Sequence, residues 1–281
     1  MDDYGTDIPA RDSTMRVVDL TLLLAEELPG TWPTHMSYQQ KTSNYFTDVD
    51  DQTSALRATD GPYQTRWLLI DEHTGTHFDA PAHFIPEPKT GLPHAAEIGT
   101  VTAEQIPLTQ FIGPAVVIDI PQDLPGSAPG VSPTITQEFL TAWERNNGEL
   151  SVGDIVLFRT GWDRYYLPGG AGLDYCFRAL VTRDGPGWPA PDARAMHHLI
   201  DRGVRCVGTD GVSMGSSHDG AGVHYAGLEA GAVFIEALGH LDELPVKGAF
   251  FCFAPLKVAR GSGAPGRAFA WVPDSDRQKV G

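Results

Sequence analysis

The sequence of 281 residues predicts a mixed α/β domain with a covered β-sheet. Several short runs are apolar at consecutive positions and are bounded by Gly, Pro or Asp, which is typical of strands buried on both faces. These runs alternate with segments that have the spacing of amphipathic helices. The hydrophobic content of 41% is ample for the core of such a domain.

The individual elements follow from these patterns in chain order. Strands are predicted within residues 15–30, 66–77, 113–121, 153–162, 204–210, 232–238 and 248–258. The run TITQEFLTAWERN predicts an amphipathic helix whose cap is Thr134 or Thr136. Another helix precedes the strand at 204–210 and ends at Gly203, because glycine commonly follows the last helical turn. The strand at 248–258 is the last element that we expect.

The tail and one long insertion stand outside this alternation. We expect a loose N-terminal tail over residues 1–15 and one domain over residues 16–275. Residues 34–66 are polar and include the acidic stretch TDVDDQ. They predict a long excursion over the surface that serves as a lid or as an oligomer contact.

Composition argues against several classes of function. The formal net charge of −16 opposes binding to phosphate backbones, so we expect no nucleic-acid partner. The first residues are polar and acidic, and no stretch has the roughly 18 apolar residues of a membrane helix. We therefore expect a cytoplasmic protein without a membrane partner. Cys176, Cys206 and Cys252 are far apart in sequence, and we expect buried, reduced thiols.

The stretch HTGTHFDAPAH, residues 73–83, concentrates potential metal ligands. A helix is excluded because glycine and threonine are poor helix formers and Pro81 would break one. In an extended chain residues of one parity share a face, and the four candidate ligands all have odd numbers: His73, His77, Asp79 and His83. A straight strand would spread them over roughly 33 Å. One metal ion therefore requires a bend, which we expect at Gly75 and Pro81.

The chemistry of these side chains suits Zn²⁺, Mn²⁺ or Fe²⁺. Two histidines and one aspartate would leave coordination positions open for water, as in catalytic sites; the alternative is a polar turn whose histidines cap strand ends. Glu236 lies in the apolar run AVFIEAL, where a carboxylate needs a metal ion or an arginine to compensate its burial. His224 is either an ordinary loop residue or a second contributor to the site.

The segment HTGTHFDAPAHF resembles the signature of the metal-dependent cyclase family, which includes bacterial kynurenine formamidases and isatin hydrolases. The matching positions are His73, Gly75, Thr76, His77, Asp79, Pro81 and His83. The likeness extends to the segment around Trp32, to LFRTGW, to VGTD and to the spacing of His224 and Glu236. It implies the cyclase fold, a single domain of the swivelling β/β/α type. It also implies a homodimer or homotetramer that acts on a small molecule.

The resemblance further implies roles for the site residues. His73, His77 and Asp79 would bind a divalent metal, Mn²⁺ or Zn²⁺. His83 would act as the catalytic proton shuttle. In members with two metals the aspartate bridges to a second ion, held by the residues that match His224 and Glu236.

Aromatic and polar side chains are candidates for the substrate pocket. Trp32 resembles a tryptophan that contacts substrate in formamidases, and His218 lies close to His224 in sequence. Weaker candidates are His35 and Ser217. Trp67 and Trp162 could add an aromatic wall, although core packing is the expectation for both.

Four functions are compatible with these residues. The first is metal-dependent hydrolysis of an amide C–N bond in a cyclic aryl amide such as isatin, which the length of the chain favours. The second is hydrolysis of an N-formyl aryl amine, the third is a lyase or cyclising reaction, and the fourth is non-enzymatic metal binding. The chain has Thr34 and His35 where many family members have Gly-Asp, and Gly215 where Asp is common. These departures leave the substrate open.

Overall fold

The structure, a computed structural model, describes residues 15–46 and 61–273. The predicted tail, apart from Met15, and the acidic stretch TDVDDQ lie outside the described residues. The described chain has a mixed α/β fold, which confirms the predicted class. No α-helix within the described ranges is long and apolar enough to cross a membrane.

Twelve strands and three α-helices make up the described chain. The strands are β1 (Met15–Asp19), β2 (Gln39–Asn44), β3 (Thr65–Leu69), β4 (His77–Asp79), β5 (Ile112–Asp119), β6 (Thr134–Ile135), β7 (Ile155–Arg159), β8 (Ala190–Pro191), β9 (Cys206–Thr209), β10 (Val233–Glu236), β11 (Lys247–Pro255) and β12 (Gly263–Pro273). The helices are α1 (Gln137–Asn147), α2 (Ala193–Asp201) and α3 (Ala221–Leu228). Thr136 caps α1, as one of the two predicted alternatives had it, by accepting a hydrogen bond from the Phe139 N–H at 3.2 Å.

The main sheet closes on itself. Its strand order is β1-β12-β11-β5-β7-β9-β10-β4, and β4 also pairs with β12. The centre of the sheet, β5-β7-β9-β10, is parallel, whereas β4, β11 and β12 pair antiparallel with their neighbours. The three-residue strand β4 is therefore held between β10 and β12. This closure gives the sheet a barrel-like core.

The parallel strands are buried on both faces. Along β5, Ala115 and Val117 pack into the interior of the closed sheet, and Val116 and Ile118 face the layer of helices. Met196 and Leu199 of α2 cover that outer face. This two-sided burial explains why the strands are apolar at consecutive positions, as the sequence indicated.

Two elements depart from the sequence prediction. Residues 221–228 form α3, a helix that the sequence patterns do not predict, so the alternative of an ordinary loop histidine at position 224 is wrong. The strand at 248–258 is not the last, because β12 follows it and pairs with β1, β4 and β11. The three cysteines are free and buried, as expected.

Strand β2 lies in the segment 34–66 and pairs with β3, which begins at the end of that segment, in a two-stranded antiparallel ribbon separate from the main sheet. All residues of β3 are exposed, including Trp67 at 64%. Core packing of Trp67 is therefore a wrong prediction, whereas Trp162 is buried as expected.

Candidate metal centre

Two of the candidate ligands, His77 and Asp79, lie on β4 opposite the end of β10. In this register His77 faces Glu236, and Asp79 faces Phe234. Directly opposed residues of an antiparallel pair have side chains within about 5 Å of each other, measured between Cβ atoms. The pairing thus brings Glu236 to the same face of the sheet as His77 and Asp79, across a sequence gap that no local pattern spans.

Bends on either side of β4 bring in two more histidines. Gly75 has a φ of +62°, a conformation that favours glycine, and it turns the chain so that His73 comes back onto the ligand face. Pro81 opens a short 3₁₀ turn that ends at His83. The chain therefore bends at the two predicted residues, and only residues 77–79 are extended as a strand.

The fourth histidine of the cluster, His224, lies on α3 and points toward the carboxylates of β4 and β10. Its ring stacks on Phe84 with a centroid distance of 4.0 Å. A Cβ atom at Gly215 would lie 2.8 Å from His224 Cε1 and 2.6 Å from Gly220 Cα. A larger side chain such as aspartate at position 215 would therefore not fit beside His224 in this chain.

Backbone carbonyls define which nitrogen two of the histidines present to the centre. Nδ1 of His77 lies 2.8 Å from the Gly75 carbonyl oxygen, and Nδ1 of His224 lies 2.6 Å from the Gly220 carbonyl oxygen. A carbonyl only accepts, so each Nδ1 carries a proton and donates it. Nε2 is then the nitrogen that both rings direct at the carboxylates.

The distances around these Nε2 atoms fit a metal ion. Nε2 of His77 lies 3.6 Å from Asp79 Oδ1 and 3.6 Å from Glu236 Oε2. Nε2 of His224 lies 3.6 Å from Asp79 Oδ2 and 3.5 Å from Glu236 Oε1. These separations exceed hydrogen-bond length. They are close to the edge of a tetrahedron, about 3.4 Å, for ligands bonded at ~2.1 Å to a zinc-like ion.

Asp79 is shared by two groups of potential ligands. One group is His77, Asp79 and Glu236, and the other is His73, Asp79 and His83. Nδ1 of His73 lies 2.8 Å from Asp79 Oδ1, whereas Asp79 Oδ2 is buried and has no hydrogen-bond partner among the described residues. A buried carboxylate oxygen without a partner is costly unless a cation compensates it, so this donor set fits a divalent metal.

Burial and neighbouring charges shift the pKa values of His83 and His224 in opposite directions. Burial lowers the pKa of His83 to about 3, against the attraction of Asp79. For His224, burial acts in the same direction, but the carboxylates of Asp79 and Glu236 outweigh it and raise its pKa to about 10. Burial raises the pKa of Asp79, and the surrounding imidazoles outweigh that effect and hold it well below the usual value. His83 is therefore neutral at neutral pH, whereas His224 holds a proton that a bound metal would displace.

The cluster forms one wall of a cavity of about 470 Å³. That volume is within the usual range of small-molecule sites, about 300–1,000 Å³. The remaining lining includes both predicted pocket residues and both weaker candidates: Trp32, His35, Ser217 and His218. Phe84 and Tyr175 add aromatic surface. Trp67 and Trp162 do not line this cavity.

The structure thus brings the six candidate ligands and catalytic residues together at one face, although their roles stay predictions. Sequence reasoning missed Ser213, whose hydroxyl donates to Glu236 at 3.1 Å, and the Met214 N–H, which donates to the same oxygen at 2.6 Å. It also missed Ser262, whose Oγ lies 2.8 Å from His73 Nε2. These contacts are long-range, and no local pattern marks them.

Comparison with known proteins gives consistent matches. Residues 18–216 match the family described as putative cyclase. The isatin hydrolase of Roseibium aggregatum is 33% identical over 221 residues, which cover 76% of this chain and 78% of that protein. The kynurenine formamidase of Salinibacter ruber is 31% identical over 211 residues, covering 72% and 76%.

Solved structures share the fold. The isatin hydrolase A of Ralstonia solanacearum superposes with a TM-score of 0.72 at 29% sequence identity. The match covers 97% of this chain and 99% of that one. The structural likeness therefore extends over β10–β12, beyond the residues that the family description matches.

Proposed function

The chain belongs to the putative cyclase family, and from that premise we propose that it is a metal-dependent hydrolase of amide C–N bonds. The substrate we favour is a cyclic aryl amide of the isatin type. One observation carries the proposal: ligands that fit a divalent cation form the wall of a cavity that also contains Trp32. The names of two relatives, isatin hydrolase and kynurenine formamidase, support the reaction class.

Asp79 is the centre of the proposed metal site, with His73 and His77 as its partners, and His224 and Glu236 complete it. Mn²⁺ or Zn²⁺ bound there would supply Lewis acidity, which activates water and polarises a carbonyl group. Asp79 and Glu236 would provide the negative charge that the cation requires, and the fixed Nε2 atoms would provide neutral donors.

His83 is the proposed catalytic base and acid. Burial lowers its pKa to about 3, so the imidazole is unprotonated at neutral pH and has a ring nitrogen free to accept a proton. A pKa this low also makes it a weak base, so proton transfer from the attacking water would depend on the acidity that a bound metal gives that water. The water oxygen bonds to the amide carbonyl carbon, the ring C–N bond breaks, and His83 returns the proton to the leaving nitrogen. The products are an aryl amine and a carboxylate on one molecule.

The aromatic lining suits a planar substrate. Trp32 contacts Trp188 edge-on with a centroid distance of 6.1 Å, which fixes the ring at the cavity wall. A fused aryl ring could pack against Trp32, with its carbonyl directed toward the cluster. His218 accepts a hydrogen bond from the Ser132 N–H on Nδ1 at 3.2 Å, so its Nε2 carries a proton and is a donor for a substrate oxygen.

The second candidate function is hydrolysis of an N-formyl aryl amine, favoured by the match to a kynurenine formamidase. Both substrates share the aryl amide group, so the cluster alone does not separate them. The test is to compare isatin and N-formylkynurenine with protein loaded with Mn²⁺ or with Zn²⁺. Turnover of isatin with the higher kcat/KM is expected, and a preference for N-formylkynurenine would favour the second function.

The hydrolytic class has its own test. Reaction in ¹⁸O-water must place one label in the carboxylate product. Turnover without label would indicate a lyase or cyclising reaction, and metal binding without turnover of either substrate would favour a metal-binding protein. We also propose that the protein is a homodimer or homotetramer. Light scattering coupled to size-exclusion chromatography would measure the mass of the assembly.

A further inference from the structure

Residues 261–263, with the sequence Gly-Ser-Gly, pack against His73 at the start of β12. We name these residues the GSG segment. Ser262 Oγ lies 2.8 Å from His73 Nε2 and 2.5 Å from Glu72 Oε1. The Ser262 N–H also donates to both oxygens of Glu72, each at 3.1 Å. A chain of hydrogen bonds therefore runs from Glu72 through Ser262 to His73.

The chemistry of the groups sets the direction of these bonds. An ionised carboxylate has only acceptor atoms, so the Ser262 hydroxyl must donate its single proton to Glu72. Ser262 Oγ can then only accept from His73, which places a proton on Nε2. Nδ1 lies 2.8 Å from Asp79 Oδ1, which accepts a hydrogen bond from it, and a bound metal would displace the Nδ1 proton rather than the one on Nε2.

The backbone of the GSG segment is shaped for this contact. A Cβ atom at Gly263 would lie 2.7 Å from His73 Cε1 and 2.2 Å from the Phe78 carbonyl oxygen. A Cβ atom at Gly261 would lie 2.9 Å from Glu72 Oε2. Only glycine on each side of Ser262 lets the backbone approach both partners this closely.

We propose that Glu72 and Ser262 are positioning residues that keep the proton of His73 on Nε2 and so reserve Nδ1 for the metal. The inference rests on the proposed function, since it concerns the same metal centre. It assigns His73 a different donor atom from His77 and His224, which are held by backbone carbonyls and present Nε2. Residues that hydrogen-bond to a metal-binding histidine support metal affinity, and replacing them commonly lowers it.

Metal affinity of the purified, chelator-treated protein tests the proposal. Titration with Zn²⁺ against a chromophoric chelator should show affinity reduced by about 10–100-fold in Ser262→Ala. Glu72→Gln should reduce it as well, because the new amide can donate to Ser262 and turn the hydroxyl proton toward His73. Glu97→Gln, at an exposed glutamate remote from the GSG segment in sequence, is the matched control and should bind as the wild type does.

A spectroscopic readout on the unaltered protein keeps the test independent of folding defects. In ¹⁵N-histidine-labelled protein loaded with Zn²⁺, the His73 side chain should show a protonated Nε2 and a metal-bound Nδ1. A protonated Nδ1 would overturn the proposal, and so would wild-type affinity in both variants.

The two levels of inference fail differently. If His77→Ala weakens Zn²⁺ binding while Ser262→Ala and Glu72→Gln do not, the positioning role is wrong and the metal centre stands. If the wild-type protein binds neither Zn²⁺ nor Mn²⁺, the proposed function is wrong and the positioning role falls with it.

Discussion

Two buried glutamates of this protein lie at different distances from the imidazoles beside them. Glu144 on α1 is 5% exposed, and its Oε2 lies 2.8 Å from His198 Nε2 and 3.1 Å from Arg202 Nη2. Its Oε1 accepts from the Leu150 N–H at 3.0 Å. Glu236 in the candidate metal centre is 4% exposed, yet the two imidazole nitrogens beside it, Nε2 of His77 and of His224, lie 3.5–3.6 Å away.

The distance to the neighbouring imidazoles, rather than the residue type, therefore separates a structural carboxylate from a candidate metal ligand. Around Glu144 donors and acceptors are in direct contact, so the protein compensates the charge by itself. Asp79 and Glu236 also accept direct hydrogen bonds, from His73 and from Ser213 and the Met214 N–H, but the Nε2 atoms of His77 and His224 lie 3.5–3.6 Å from both carboxylates. That is close to the separation of atoms that share a cation. Substitutions at the two sites test this contrast.

The largest effect is expected from Asp79→Asn, because both ligand groups share Asp79. Zn²⁺ affinity should fall by more than about 100-fold, beyond the 10–100-fold typical of residues that only support a ligand. Amide hydrolysis should be lost with it. Competition with a chelator measures the affinity, and retention of wild-type binding by the variant would refute the role of Asp79.

The corresponding substitution at the structural glutamate is Glu144→Gln. Glutamine removes the negative charge and one of the two acceptor oxygens that His198 and Arg202 contact, so the free energy of unfolding should fall by about 2 kcal/mol. Zn²⁺ affinity should not change, because Glu144 does not contact the ligand cluster. Urea unfolding and the same chelator titration measure the two quantities, and loss of metal binding without loss of stability would contradict the comparison.

A smaller effect on the metal centre is expected from Gly215→Ala. The added methyl would meet Gly220 and His224, so α3 must shift and carry the His224 ring with it. We expect roughly a tenfold loss of Zn²⁺ affinity, the order expected for a displaced ligand contact. Gly222→Ala is the matched control: position 222 lies on α3 itself, two residues before His224, and a Cβ there meets no atom within 4 Å.

The smallest effect concerns pH. Burial raises the pKa of Glu144, but hydrogen bonds from Leu150, His198 and Arg202 outweigh it and hold the pKa below its ordinary value of 4.5. A depressed folded-state pKa contributes stability above 4.5, and that contribution is lost as the pH falls through the folded-state value. The stability difference between wild type and Glu144→Gln should therefore shrink on acidification below 4.5. A difference that stays constant in urea titrations would contradict it.

The sequence was sufficient for the ligand strand and its bends. Parity along residues 73–83 indicated the shared face, and Gly75 and Pro81 are where the chain turns. Glu236 was recognised because a carboxylate in an apolar strand requires compensation. The mixed α/β class followed from strands that are apolar on both faces.

Other elements depend on tertiary packing, which the local sequence does not show. In α3, Gly227 lowers helix propensity, yet a Cβ there would lie 2.3 Å from Phe234 Cζ, so packing requires glycine. The start of β12 contains Pro265 and glycines, which read as a loop, although the ladder with β11 and β4 makes it a strand. The exposure of Trp67 depends on what covers β3, and an apolar run does not show that.

The order in which the chain leaves the ribosome gives β12 a particular importance. All six candidate ligands and catalytic residues precede residue 237, but His73 depends on the GSG segment, and β4 gains its second neighbour only from Gly263–Pro265. A nascent chain that stops before β12 would carry every ligand side chain without their arrangement. The metal uptake that we propose would therefore require completion of the closed sheet and not only synthesis of the ligands.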